Sequence, residues 1–150
     1  MFRPVPLQLP PYSLQISTDG KKHYVFDVLR KKHLVCTPEE WVRQHWIHHL
    51  IQQKHYPKGL IKPESGLKLQ GMTRRSDLLI YNTEGEMILL AEFKNPDIPI
   101  NEAVFDQVSR YNTVYKIPLL LVSNGLTHYC WKIDFDQNNY AFLEELPAYR

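Results

Sequence analysis

The chain has 150 residues, 43% hydrophobic and 23% charged, enough for one compact domain with a sizeable core. Its longest apolar runs, Pro118 to Val122 and Met87 to Ala91, fall far short of the roughly 20 residues that span a membrane. The opening MFRPVPLQLPPY lacks the continuous apolar stretch of a secretory signal, so a cytoplasmic location without a membrane partner is expected.

Cys36 and Cys130 stand apart with no CxxC spacing, which suits reduced thiols better than a disulfide framework or a zinc site. The net charge of +2 hides an asymmetry. Residues 1–75 hold 13 Lys/Arg against 5 Asp/Glu, and residues 76–150 hold 5 against 11, so the halves carry +8 and −6. Such a division suits a protein that attracts a polyanion on one surface and holds cations with carboxylates on another. An ordinary solvated surface would carry the same charges.

In chain order, the prolines at 4, 6, 10 and 11 predict an extended arm over residues 1–12, because proline donates no backbone hydrogen bond. Thr18-Asp19-Gly20 then turns a hairpin between two short segments rich in strand formers. The run Arg30 to His33 reads equally as a solvated loop or a phosphate-contacting patch. Thr37-Pro38-Glu39-Glu40 starts a helix reaching about Lys54, with Thr37 as N-cap, proline at the first helical position and Glu40 as capping-box partner. Its apolar face is Val42, Trp46, Ile47 and Leu50, and Glu39 and Arg43 fall in the same arc, where they pair or reach a polar site.

Strands follow at Gly66 to Leu69, Arg74 to Tyr81 and Met87 to Lys94. Asn101 caps a second helix over Glu102 to Tyr115, whose stripe is Val104, Phe105, Val108 and Tyr111 or Asn112. Pro118 opens a strand buried on both faces and ended by Asn124-Gly125, and a last hairpin turns around Asp136 to Asn139.

The chemistry concentrates in the middle. A hairpin turn centred on Glu84-Gly85 sets Asp77 opposite Glu92 and Arg75 opposite Lys94, all four on one face. Two carboxylates across a ladder are hard oxygen ligands suited to Mg²⁺ or Mn²⁺, and the Phe93 carbonyl adds a third. Such an ion polarises a phosphodiester and supplies hydroxide, while Lys94 sets an ammonium beside the developing charge. A surface hairpin with mutually neutralising charges is the plainer reading. Against it, both acids interrupt apolar strands, DLLIY and MILLAEF.

Asp77, Glu92-Phe93-Lys94 and Gln107-x-x-x-Tyr111, in the order α-β-β-β-α-β from about Thr37 to Asp134, resemble the N-terminal nuclease domain of type I restriction enzyme R subunits. That family falls within the PD-(D/E)XK, restriction-endonuclease-like superfamily. The resemblance implies an α/β fold with a central mixed sheet flanked by helices, here with N-terminal and C-terminal hairpin additions around a single domain of residues 1–150. It also implies metal ligation by Asp77 and Glu92, catalysis assisted by Lys94, and support from Gln107, Tyr111 and Glu39. Ser76 stands where the family motif has proline, and no GxxxxGK[ST] phosphate loop of a motor is present.

The expected activity is therefore metal-dependent hydrolysis of DNA, linked to restriction or other DNA processing. A separate motor or specificity protein and a homodimer are the partners this admits. The alternative is a non-catalytic nucleic-acid-binding or assembly module on the same fold. His45, His48 and His49 lack the companion ligands of a zinc site, the tryptophans read as core, and Ser123 is no nucleophile elbow.

Overall fold

A computed structural model describes residues 4–63 and 78–150, except for the side chains of Tyr111 and Val114. The regions expected as a strand at Gly66 to Leu69 and as the first half of the strand ending at Tyr81 lie outside the described residues, as does Asp77.

The chain builds two sheets. Strands β1 (Ile16–Asp19), β2 (Lys22–Asp27) and β3 (Lys32–Val35) form an antiparallel meander in the order β1-β2-β3. Gly20, at φ +64°, makes the first turn as expected. The basic run at 30–33 is neither a loop nor a separate patch throughout. Arg30 and Lys31 turn the chain, and Lys32 and His33 begin β3, so the hairpin becomes three-stranded. Asp27 drives this turn, its Oδ1 accepting from the amides of Leu29 at 2.7 Å and Arg30 at 3.2 Å.

The second sheet runs β4 (Ile61–Pro63), β5 (Leu78–Tyr81), β6 (Met87–Phe93), β7 (Leu119–Ser123), β8 (His128–Asp134) and β9 (Asn139–Leu143), side by side in that order. Its neighbours are antiparallel apart from β6 and β7, which are parallel because helix α2 (Glu102–Tyr115) crosses over between them. Helix α1 (Pro38–Gln52) precedes β4, giving α-β-β-β-α-β from α1 to β7. Strand β4 was not anticipated from sequence; Pro63 sits in it because β4 is an edge, where a missing donor is tolerated.

The helices cover opposite faces of this sheet. Leu78, Ile80, Leu89, Ala91, Phe93, Leu121 and Cys130 meet Val42, Trp46, Ile47 and Leu50 of α1. The alternate residues Leu79, Leu90, Leu120, Val122 and Trp131 meet Val108 of α2. Strands covered on both sides need apolar residues at every position, which explains the unbroken run in β6 and β7. Among the described residues no helix is long and apolar enough to cross a membrane.

Helix α1 is buried around most of its circumference: Val42 through Ile47 are all buried, including Arg43, Gln44 and His45. Thr37 caps it as expected, its Oγ1 accepting from the Glu40 amide at 3.1 Å. The capping box does not close, because the Thr37 amide donates to Val35 and the Glu40 carboxylate turns inward to Arg43 and Gln44. Residues 4–12 carry no helix or strand and are tied down at their middle: Leu7 and Leu9 pack on the α1-side core, and Gln8 exchanges bonds with Gly125 and His128. Gly125 stands at φ +86°, and a Cβ there would fall 2.6 Å from Leu7 Cδ2.

Candidate active site

Strand β6 carries the centre of the site. The pairs Leu78↔Ala91, Leu79↔Leu90 and Ile80↔Leu89 keep the expected register, and an irregularity appears only at Tyr81, which pairs with Met87. Asn82 shapes the turn by accepting at Oδ1 from the Glu84 and Glu86 amides, with Gly85 at φ +83°. Alternation puts Glu92 on the α2 side of the sheet with Leu90, and Lys94 follows two residues on.

Lys94 Nζ lies 3.1 Å from Glu92 Oε1, with side chains only 21% and 14% exposed. Withdrawing such a pair from water is expensive. The backbone beneath it is tied by hydrogen bonds. The Lys94 amide donates to Ser123 at 2.9 Å, Asn95 Oδ1 accepts from the Asp97 amide, and Asn124 Nδ2 donates to the Ile98 carbonyl at 2.8 Å. These bonds join the strand end and the following loop to β7 and the turn after it.

Helix α2 packs on the face that carries Glu92. Asn101 caps it by accepting from the Val104 amide at 3.2 Å. Its far end closes on Lys116 in the left-handed region at φ 54°, held by buried Asn112, whose amide both donates to and accepts from Ile117 at 2.8 Å. Gln107 is half-buried beside Val108, and Tyr111 follows one helical turn later. Both residues are on the helix that packs against the face carrying Glu92.

Glu39 departs from the expected helix face. It is exposed in the first turn of α1, on the helix that covers the opposite side of the sheet, and it does not pair with Arg43. The carboxylate beside Arg43 is Glu40, in a two-bond contact of 2.9 Å to Nε and 2.7 Å to Nη2. Asp27, fully buried on β2, completes the cluster 3.6 Å from Arg43. A helical wheel could not choose between acids three and four residues from Arg43; the three-stranded sheet chose by bringing Asp27 against it.

A Ser–His contact forms that the sequence did not suggest. Ser123 Oγ lies 2.6 Å from His128 Nδ1, and His128 Nε2 donates to the Gln8 carbonyl at 2.7 Å, so Nδ1 accepts the serine proton. Ser123 is wholly buried and also accepts from the Gly125 amide at 2.9 Å. This is a latch for the arm, without the exposed hydroxyl that nucleophilic catalysis needs. Burial lowers the pKa of His128 despite the Gln8 carbonyl, and burial likewise lowers those of His45, His48 and His49. His45 donates to the Trp41 carbonyl, and His49 meets the Tyr12 hydroxyl at 2.7 Å. Among the described residues no three His, Cys, Asp or Glu converge on one point. Burial also pushes the thiols up, Cys36 to about 12 and Cys130 to about 11, leaving both protonated and unreactive at neutral pH.

Trp46 and Trp131 are core residues as expected, while half-buried Trp41 donates its indole N–H to the Val5 carbonyl in the arm.

The model of the family described as type I restriction enzyme R protein N terminus (HSDR_N) matches residues 38–147. The chain belongs to this family. The matched segment of this HSDR_N chain starts with α1 and includes both helices and β4 to β9. Among solved structures, a fragment of a putative HsdR subunit of a type I restriction enzyme from Vibrio vulnificus YJ016 is similar at 18% identity and a TM-score of 0.38. That similarity covers 59% of this chain and 16% of the other, so this chain spans a small part of the Vibrio protein's length. No curated protein matches.

Proposed function

We propose that this HSDR_N chain is a metal-dependent deoxyribonuclease with a restriction-endonuclease-like core, acting in restriction or related DNA processing. The observation that carries the reading is the Glu92–Lys94 pair, 3.1 Å apart and largely withdrawn from solvent on an interior strand. Family membership and the α-β-β-β-α-β order support it.

In this reading Glu92 and the Phe93 carbonyl hold Mg²⁺ or Mn²⁺, together with Asp77. Asp77 adjoins Leu78 in sequence, and Leu78 pairs with Ala91, the neighbour of Glu92. The ion, when bound, polarises the phosphodiester and lowers the pKa of bound water. Lys94 holds its ammonium beside the attacked phosphorus and balances the charge that develops there. Gln107 and Tyr111, one turn apart on α2, orient Lys94 or the phosphate. Glu39, exposed on α1, has the least structural support of the set. A companion motor or specificity protein would supply DNA selection, and pairing of two copies would allow both strands to be cut.

Purified protein with Mg²⁺ or Mn²⁺ should nick or linearise plasmid DNA. Lys94→Ala should lower that rate by about 100-fold or more with an unchanged melting temperature, the scale of losing one electrostatic donor in a preorganised site. No cutting with any divalent ion, beside salt-sensitive DNA binding, would instead establish a non-catalytic binding module.

A further inference from the structure

Helix α2 stops short of covering its face of the sheet. Beyond it Tyr129 on β8 and Tyr140 and Phe142 on the edge strand β9 stay 42%, 56% and 57% exposed, an unusual outlay of aromatic surface. With Phe105 of α2 they wall a groove of about 430 Å³, where Phe105 lies 5.6 Å from Tyr140 and 5.7 Å from Phe142 between ring centres. Glu102 and Asp106, one helical turn apart, line its helical side, and among the described residues the lining holds no lysine or arginine.

The groove and the candidate active site lie along one row of the sheet. Glu92 pairs with Val122 across β6 and β7, and Val122 pairs with Tyr129 across β7 and β8, so the three share one row on one face. Val122 and Tyr129 line the groove. Two strand spacings separate Glu92 from Tyr129, about 10 Å.

We propose that this groove seats an unpaired nucleobase flanking the phosphodiester held at Glu92, an inference that rests on the nuclease reading above. The exposed rings offer π faces on which a base stacks. The carboxylates repel phosphate, so they turn the base edge inward and leave the backbone outside. Their oxygens accept from exocyclic amino groups, which cytosine carries at N4 and thymine lacks. The substrate class is therefore DNA with a single-stranded stretch, an end or an extruded base, with amino-bearing bases preferred in the groove.

The test is fluorescence anisotropy in EDTA, which removes cutting from the measurement. The probes are an oligodeoxycytidylate of about ten nucleotides, within the usual range of single-strand sites, the matching oligothymidylate and an abasic backbone of equal length. Oligodeoxycytidylate should bind roughly tenfold or more tighter than the abasic backbone. Tyr140→Ala with Phe142→Ala should erase that advantage while the circular dichroism spectrum stays unchanged. Glu102→Ala with Asp106→Ala should remove the preference for cytosine over thymine and keep the advantage over the abasic strand. Equal affinity for the three strands, absence of binding, or an advantage untouched by the aromatic substitutions overturns the proposal; an arginine-bearing peptide that shifts Tyr140 and Phe142 where the strands do not would assign the groove to a protein partner. Cutting that depends on Lys94 alongside base-independent binding would defeat the groove and spare the nuclease. Base-dependent binding without cutting would do the reverse.

Discussion

The two faces of the six-stranded sheet use their polar residues differently. On the α1 side several buried polar groups are committed to partners, Arg43 to Glu40 and Asp27, His45 to Trp41, His128 to Ser123 and Gln8, while Gln44 Oε1 and Trp46 Nε1 find no hydrogen-bond partner among the described residues. These contacts join α1, the N-terminal sheet and the arm to the core. On the α2 side Glu92 and Lys94 sit at a strand end, next to a groove whose aromatic and acidic residues face open space. Histidine, serine and tryptophan on the first face look like chemistry in a list of residues, yet their partners make them scaffold. In the proposed reading the α2 side carries the chemistry and the α1 side the scaffold.

This contrast predicts that the faces respond differently to substitution. Lys94→Ala should damage cutting and spare stability, as set out above. Arg43→Ala should do the opposite. It leaves Asp27 and Glu40 without their buried cation and should lower unfolding free energy by about 3–5 kcal/mol in urea denaturation, with DNA cutting per folded molecule little changed. A loss of cutting at unchanged stability would break the comparison and move Arg43 into the active site. Gly125→Ala should cost about 1–3 kcal/mol, because the new methyl meets Leu7 while the backbone holds a left-handed conformation. Truncating Leu7 to Ala in the same chain should recover part of that loss by making room.

The smallest effect is expected from pH. His45, His48, His49 and His128 all have folded pKa values below their ordinary value near 6.5, chiefly through burial. The unfolded chain therefore binds protons more readily than the folded one. Their stabilising contribution is full above about pH 6.5 and declines as pH falls through the lowered folded values. Thermal melts at pH 7.5 and 5.5 should show the lower Tm in acid, and His128→Gln should shrink the difference. An unchanged Tm would mean that these imidazoles are not held neutral by the α1-side packing.

Much of this organisation was legible in the chain itself. The Thr37 and Asn101 caps, the apolar runs of β6 and β7 and the Glu84-Gly85 turn each rest on local chemistry: a side-chain acceptor for an orphan amide, period-two alternation, a residue tolerant of positive φ. The hairpin register followed from the turn, and with it the common placing of Glu92 and Lys94. What failed was the α1 face. Its pattern was read as a single apolar stripe, but the arm and the N-terminal sheet bury polar residues around that helix, so Glu40 faces inward and Glu39 faces solvent.

By itself, then, the sequence determined the two helices with their N-caps, the β5–β6 turn and register, and the spacing of Glu92, Lys94, Gln107 and Tyr111, because those depend on neighbours a few bonds or one turn away. Only the tertiary structure decided that Arg43 meets Asp27, that Ser123 and His128 latch the arm, and that Tyr129, Tyr140 and Phe142 stay uncovered beside the row of Glu92. Those outcomes depend on which segments pack together and where a helix ends its cover, and residues distant in the chain leave no local periodicity that records such meetings.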